Sequence, residues 1–482
     1  MDINTNTKMK KKFKMPTAYT ILAAIIVIVA ILTWIVPAGQ YAYVNPKATK
    51  LQPIPGTYHT VQSNPQSFKD VVLAPITGFY DAIDVIVFVI VIGGFLGTVM
   101  KTGAIDAGIG RLVKKLEGKE SWLIPLIMLL FTLGGVAFGM DEETLAFFPI
   151  LIPVFIAAGY DAVTAVAVIK LGSGMATMAS LTNPFAVSIA CKFAGISMGE
   201  GIGLRVVLLI VFVALGIFWT MKYADMVKKD PTKSLVYDLH EEHKKHFLGN
   251  RNENDIPELT GRRKLILAVF GLTFVVMVIG IIPFSDLGIK VIPTLGWWFG
   301  ELAGLFLVSS IIIAIIAGYK EDKFLPIFVD GARDLLGVAL IIGLARGITV
   351  VMNAGHISDT VLHLGEVCLK GKSSAAFTVF TYLFYLPMSF FIPSTSGLAT
   401  VTMPIMAPLA DFSGVARHIV ITAYQAANGI LSLFAPTCAV IMAGLAMARV
   451  PYDRWLKFIW KLLAIIFIIT LAFLVLAMFV YK

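Results

Sequence analysis

Long apolar runs separated by short polar stretches recur along the chain as far as its C-terminus. They place membrane-crossing helices near residues 17–36, 82–100, 161–192, 203–222, 263–283, 296–318, 334–352, 416–447 and 457–480, since about 20 apolar residues span a bilayer's hydrocarbon core. Ile21 to Val36 lacks the polar stripe of a helix on a soluble domain. Two further apolar stretches, 122–159 and 374–412, are polar at their centres. The first holds Gly139-Met140-Asp141-Glu142-Glu143-Thr144, followed by Pro149-x-x-x-Pro153; the second holds Pro393-Ser394-Thr395-Ser396-Gly397, followed by Pro404-x-x-x-Pro408. Polar groups at membrane depth are tolerated where they line a cavity, so both stretches read as re-entrant helical hairpins.

The distribution of basic residues fixes a topology, because Lys and Arg gather in short cytoplasmic loops. With the N-terminus inside, the cytoplasmic segments hold Arg111, Lys114, Lys115, Lys119, the loop 222–264, Lys320, Lys323, Arg333, Arg449, Arg454 and Lys457. The outer segments hold only Lys47, Lys50, Lys69, Lys290, Lys370, Lys372 and Lys482, and the C-terminus falls outside. The first hairpin then opens to the cytoplasm and the second to the exterior, which describes an inverted-topology repeat. The matching segments Val99-Met100-Lys101-Thr102-Gly103-Ala104-Ile105 and Val351-Met352-Asn353-Ala354-Gly355-His356-Ile357 support it. Amphipathic connecting arms follow them, with Ile105, Ile109, Leu112 and Leu116 in one and Ile357, Val361, Leu364 and Cys368 in the other. The chain divides into 1–81 (first span and outer loop), 82–223 (first repeat), 224–262 (cytoplasmic linker), 263–333 (additional spans) and 334–482 (second repeat).

Composition agrees: 58% of the 482 residues are hydrophobic and 14% charged, which describes an all-α polytopic membrane protein. The net charge of +9 reflects loop topology and implies no nucleic-acid partner. Lys8, Lys10, Lys11, Lys12 and Lys14 precede a first apolar run too long for a signal-peptide core, so that run is expected to be retained. Cys191, Cys368 and Cys438 show no metal or disulfide spacing. His240, His243 and His246 in the linker would spread over a wide arc of a helix, which favours a solvated charged helix over a metal or pH-sensing site.

Beyond each hairpin comes a span with a weak centre. One runs Lys170-Leu171-Gly172-Ser173-Gly174 to Ser180-Leu181-Thr182-Asn183-Pro184, the other Gln425-Ala426-Ala427-Asn428-Gly429 to Ala435-Pro436-Thr437. Glycine loosens a helix and proline removes an amide donor, so both spans should break near mid-membrane. Ser180, Thr182, Asn183, Ser394, Thr395, Ser396, Asn428 and Thr437 would then offer neutral hydrogen-bonding groups to a solute, with Asp141, Glu142, Glu143 and Thr144 at the first tip. An ionised acid at membrane depth costs roughly 2.5 kcal/mol or more, so these carboxylates should be paired, protonated or facing water. A cationic substrate is one partner; Lys170 and Arg346 are an internal alternative.

Phe13-Lys14-Met15-Pro16-Thr17-Ala18-Tyr19-Thr20, Thr33-Trp34-Ile35-Val36-Pro37-Ala38-Gly39 and Phe138-Gly139-Met140-Asp141-Glu142-Glu143-Thr144 resemble the YfcC group of the C4-dicarboxylate anaerobic carrier (DcuC-like) family, in the ion transporter superfamily. The resemblance implies secondary transport by a homodimer of elevator type, with 122–223 and 374–480 sliding against a static scaffold. Better studied superfamily members carry Ser-Asn-Thr at both tips. Asp-Glu-Glu and Ser-Thr-Ser stand here instead, which argues against a sodium-coupled dicarboxylate mechanism. Some relatives are basic amino acid antiporters of the arginine/ornithine kind, which the acidic tip suits, whereas a dicarboxylate would look to Lys170 and Arg346. A channel would need a continuous lined pore, and an intramembrane enzyme a nucleophile with its base or a metal cluster. The spans offer neither, and no cofactor or metal is implied. The expected protein is a small-molecule transporter in the cytoplasmic membrane.

Overall fold

The computed structural model describes residues 17–45, 52–105, 107–108, 111, 119–137, 139–249, 258–281, 284, 291 and 293–481. Residues 8–16, Lys47, Lys50, Ile109, Leu112, Lys114, Lys115, Leu116, Phe138, 250–257, Lys290 and Lys482, which figure in the reading above, lie outside them. The described chain is helical apart from one antiparallel pair, Gly39–Gln40 with His59–Thr60, and one isolated bridge between Tyr43 and Pro53.

Among the described residues nine helices are long and apolar enough to cross a membrane: Ala18–Ile35, Ile83–Lys101, Glu120–Ala137, Ile202–Lys229, Gly261–Ile281, Phe299–Ala317, Leu336–Ala354, Ser374–Phe391 and Tyr452–Val480. Seven of them coincide with spans expected from the apolar runs, and two do not. Glu120–Ala137 and Ser374–Phe391 are single arms of the interrupted stretches, while 161–192 and 416–447 each divide into shorter helices.

Two helices absent from the sequence reading organise the packing. Phe68–Asp81 precedes Ile83–Lys101, and Glu321–Asp334 precedes Leu336–Ala354, with a one-residue break in each case. Ser67 starts the former with a capping box, its backbone N–H donating to Asp70 Oδ2 at 2.8 Å. Each lies on the long helix of the other half: Phe68–Asp81 on Leu336–Ala354, Glu321–Asp334 on Ile83–Lys101. Glycines permit both crossings, in the small-xxx-small manner of close helix pairs. Gly93 and Gly97 face Gly331, and Gly343 and Gly347 face Gly78. A Cβ on Gly331 would lie 2.9 Å from Gly97 Cα, and one on Gly78 2.6 Å from Gly347 N. Backbone cannot yield as a flexible side chain can. Gly331→Leu is therefore expected to destabilise by about 3 kcal/mol, the upper end for overpacking, and to lower the melting temperature in detergent. Gly304→Leu, whose Cβ meets nothing within 4 Å, should leave that temperature unchanged.

Both interrupted stretches return to the end from which they set out. Lys228 pairs with Glu120 at 3.0 Å, before Leu123–Ala137, and sits 5.0 Å from the centre of the Tyr160 ring, after Phe148–Ala157. In the second stretch Ser374 Oγ, at the start of Ser374–Phe391, donates to Ser413 O, at the end of Thr395–Phe412, at 2.6 Å. The linker helix His240–Leu248 is docked and not solvated throughout: His243 is buried and donates from Nε2 to Arg449 O at 3.2 Å. Arg449 pairs with Glu242 at 3.0 Å and Arg454 with Asp238 at 3.1 Å. Burial pushes the His243 imidazole below its usual range, consistent with a neutral ring; among the described residues no cluster of three metal-ligating side chains exists.

Candidate functional site

Both polar tips and both helix breaks converge on one cavity of about 250 Å³. The first tip is a 3₁₀ turn, Glu142–Phe147, between Leu123–Ala137 and Phe148–Ala157. Gly139 admits it to this position: its φ is +74°, and a Cβ there would come within 2.6 Å of the Asn183 side chain. At the second tip Ser394 starts Thr395–Phe412, its Oγ accepting from Gly397 N at 3.2 Å. Tyr424 OH donates to Thr395 O at 2.6 Å and Thr395 Oγ1 to Asn428 Oδ1 at 3.0 Å, fixing this tip on the neighbouring broken helix.

The first broken helix runs Ala162–Met178 and resumes through a π turn, Pro184–Ser188, into Ile189–Ala194. Asn183 Oδ1 caps the resumption, accepting from Phe185 N at 2.9 Å and Ala186 N at 3.1 Å. The second runs Arg417–Ser432 and resumes at Ala439–Met447. Its unwound carbonyls have donors: the Trp455 indole N–H reaches Leu433 O at 2.8 Å and Tyr452 OH reaches Phe434 O at 2.7 Å. Gln425 Nε2 donates to Ser180 Oγ at 2.9 Å and joins the two broken helices.

Of the residues singled out from sequence, Asp141, Glu142, Glu143, Asn183, Ser394, Thr395, Ser396, Asn428, Thr437 and Arg346 line the cavity. Thr144, Ser180 and Thr182 do not, because their polar groups are engaged nearby. Thr144 Oγ1 donates to Asp141 O, Thr182 Oγ1 donates to Val136 O at 3.0 Å, and Ser180 Oγ accepts from Gln425. Lys170 also stands behind the wall. It is fully buried inside Ala162–Met178 and bonds Asp141 Oδ1 at the first tip. The close ion pair of Arg346 is with Asp81 at 2.9 Å and not with an acid of the tip. Asp81 and Asp84 line the cavity as well, as do Thr177, Phe185, Trp298 and Phe299. Sequence reading passed over the two aspartates because they sit at the edge of the apolar run 82–100, where an acid reads as a span boundary.

Acidic groups outnumber basic ones on the wall. Five carboxylates line it, those of Asp81, Asp84, Asp141, Glu142 and Glu143. Two are committed to Arg346 and Lys170; among the described residues no Lys or Arg stands within 4.0 Å of Asp84, Glu142 or Glu143. Glu143 is buried, and its Oε2 accepts from Asp141 N at 3.2 Å.

Residues 15–479 match the family described as C4-dicarboxylate anaerobic carrier. An uncharacterized protein of Haemophilus influenzae (strain Rd) is 36% identical over 99% of both chains. A protein of Escherichia coli (strain K12) with the name "Putative basic amino acid antiporter YfcC" is 31% identical over 98% of this chain and 97% of its own. Two solved structures align more loosely. MtrF of Neisseria gonorrhoeae, described with a class of antimetabolite efflux pumps, gives a TM-score of 0.41 at 16% identity, covering 97% of this chain and 96% of its own. The YdaH transporter of Alcanivorax borkumensis gives 0.43 at 12%, covering 96% and 98%.

Proposed function

We propose that this chain, which belongs to the C4-dicarboxylate anaerobic carrier family and is a multi-pass membrane transporter, exchanges basic amino acids across the cytoplasmic membrane, arginine against ornithine being the expected pair. The observation that carries this reading is the charge of the cavity wall: three carboxylates remain after Lys170 and Arg346 have taken their partners. A cationic side chain supplies the missing charge. Two solutes of equal charge can exchange without a coupling ion. The name borne by the Escherichia coli relative points to the same substrates.

The architecture proposed with it is an inverted-repeat elevator, homodimeric, with the N-terminus cytoplasmic and the C-terminus outside. The repeats are 82–223 and 334–482, each with a span, a hairpin, a broken helix and a final span, and the opening span of each is preceded by a fourteen-residue helix. The reciprocal crossings at Gly331 and Gly78 support this pairing of halves. Both tips and both breaks would travel as one unit, while the helices bearing Asp81, Asp84 and Arg346 stay. A dicarboxylate reading has one observation in its favour: Arg346 is a cation on the wall. Its Nε pairs with Asp81 at 2.9 Å, which offsets its charge while leaving the terminal guanidinium nitrogens for a carboxylate.

Cys438 lines the cavity, Cys368 is exposed and Cys191 is buried, so a Cys368→Ser protein reports occupancy through maleimide labelling of Cys438. Arginine and ornithine should slow the labelling and succinate should not. Protection by succinate alone would overturn the proposal.

A further inference from the structure

The second broken helix resumes without a cap. Cys438 stands at the N-cap of Ala439–Met447 and its thiol accepts no hydrogen bond from the first turn, which leaves the first N–H groups and the positive end of the helix dipole at that point. Of the other helix starts on the cavity, those at Pro184 and Thr395 are closed by the side chains of Asn183 and Ser394, that at Phe299 carries a capping box with Glu301, and that at Ile83 follows Phe68–Asp81 after one residue. An independent observation coincides with the open one. Thr437 is 2% exposed, its Oγ1 has no hydrogen-bond partner, and it lines the cavity beside Ala439 and Val440. An unsatisfied buried hydroxyl is costly, and a ligand oxygen in the cavity would relieve that cost.

The same helix packs against the acidic turn Glu142–Phe147. Donors for an anion therefore adjoin acceptors for a cation. A dicarboxylate satisfies the helix start but meets the carboxylates of the tip; a simple diamine satisfies the tip but leaves the helix start and Thr437 unpartnered. An ammonium and a carboxylate on one carbon satisfy both, and that is the head of an amino acid.

We infer that Thr437 and the first N–H groups of Ala439–Met447 bind the α-carboxylate of a zwitterionic amino acid whose α-ammonium faces Glu142, leaving Asp84, on a separate helix, for the side-chain cation. This inference rests on the basic amino acid reading and narrows it, since it separates arginine from agmatine, the same molecule without its carboxylate.

Uptake of labelled arginine into proteoliposomes loaded with ornithine, competed with unlabelled arginine or agmatine, tests the assignment. In the unaltered protein agmatine should compete at least about tenfold less well than arginine. Thr437→Val keeps the shape and removes the hydroxyl; it should raise the half-saturating arginine concentration about tenfold, the worth of one hydrogen bond to a charged group, while the inhibitory concentration of agmatine moves less than about twofold. Thr437→Ser, which retains the hydroxyl, should restore arginine uptake. Equal effects on both solutes, or none on either, would overturn the carboxylate site alone. Absence of arginine uptake by the unaltered protein would overturn it together with the basic amino acid reading.

Discussion

Replacing Lys170 by methionine is expected to destabilise the protein by roughly 3–5 kcal/mol, the range for breaking a buried ion pair at one partner. The Lys170 side chain is fully buried on Ala162–Met178 and bonds Asp141 at the first tip. Without it the Asp141 carboxylate joins Glu142 and Glu143 with no cation between them, and the tip loses its tie to the broken helix. Removing both charges is a different matter. A buried pair gains little over a neutral pair of similar volume, so Lys170→Met with Asp141→Asn should recover most of the melting temperature lost by Lys170→Met alone. Thermal unfolding in detergent, followed by tryptophan fluorescence, measures both. A single variant as stable as its parent, or a double variant no better than the single, would show that the pair does not hold the tip.

Glu142→Gln should raise the half-saturating concentration for arginine by about tenfold or more, because truncating one partner of a desolvated charge pair typically costs 2–5 kcal/mol. The substitution preserves size and hydrogen-bonding capacity, and Glu142 has no Lys or Arg partner among the described residues, so little folding stability is at stake. The pattern across variants is therefore diagnostic: Lys170→Met acts on stability first, Glu142→Gln on substrate first. Concentration-dependent uptake beside a melting curve distinguishes them. A Glu142→Gln protein that transports arginine normally would remove this carboxylate from the site.

The sequence made the site more legible than the scaffold. Pro184 and Pro436 marked spans that divide beside them, at 179–183 and 433–438, whereas Gly172, Gly174 and Gly429, expected to loosen the same spans, lie inside unbroken helices. The polar tips betrayed themselves because nothing else in an apolar run requires Asp-Glu-Glu or Ser-Thr-Ser. Phe68–Asp81 and Glu321–Asp334 escaped notice because each mixes charged and apolar positions and contains a proline, Pro75 and Pro326. Their place is set by glycine contacts across the two halves, which no local pattern encodes. Thr144, Ser180 and Thr182 could not be told from Ser394 and Thr437 by composition, since a small hydroxyl in a membrane helix can bond a nearby carbonyl or a side chain as readily as a ligand. Arg346 found Asp81 from 265 positions away, whereas the sequence offered Arg346 only the tip acids as partners.

The sign of the charge that the protein transports separates the basic amino acid reading from the dicarboxylate one. Uptake of labelled arginine into proteoliposomes, compared with ornithine, succinate or buffer inside, measures that most directly. The account predicts uptake stimulated by internal ornithine and not by succinate, and weakened by Glu142→Gln. Succinate exchange without arginine uptake, undiminished by Glu142→Gln, would contradict it.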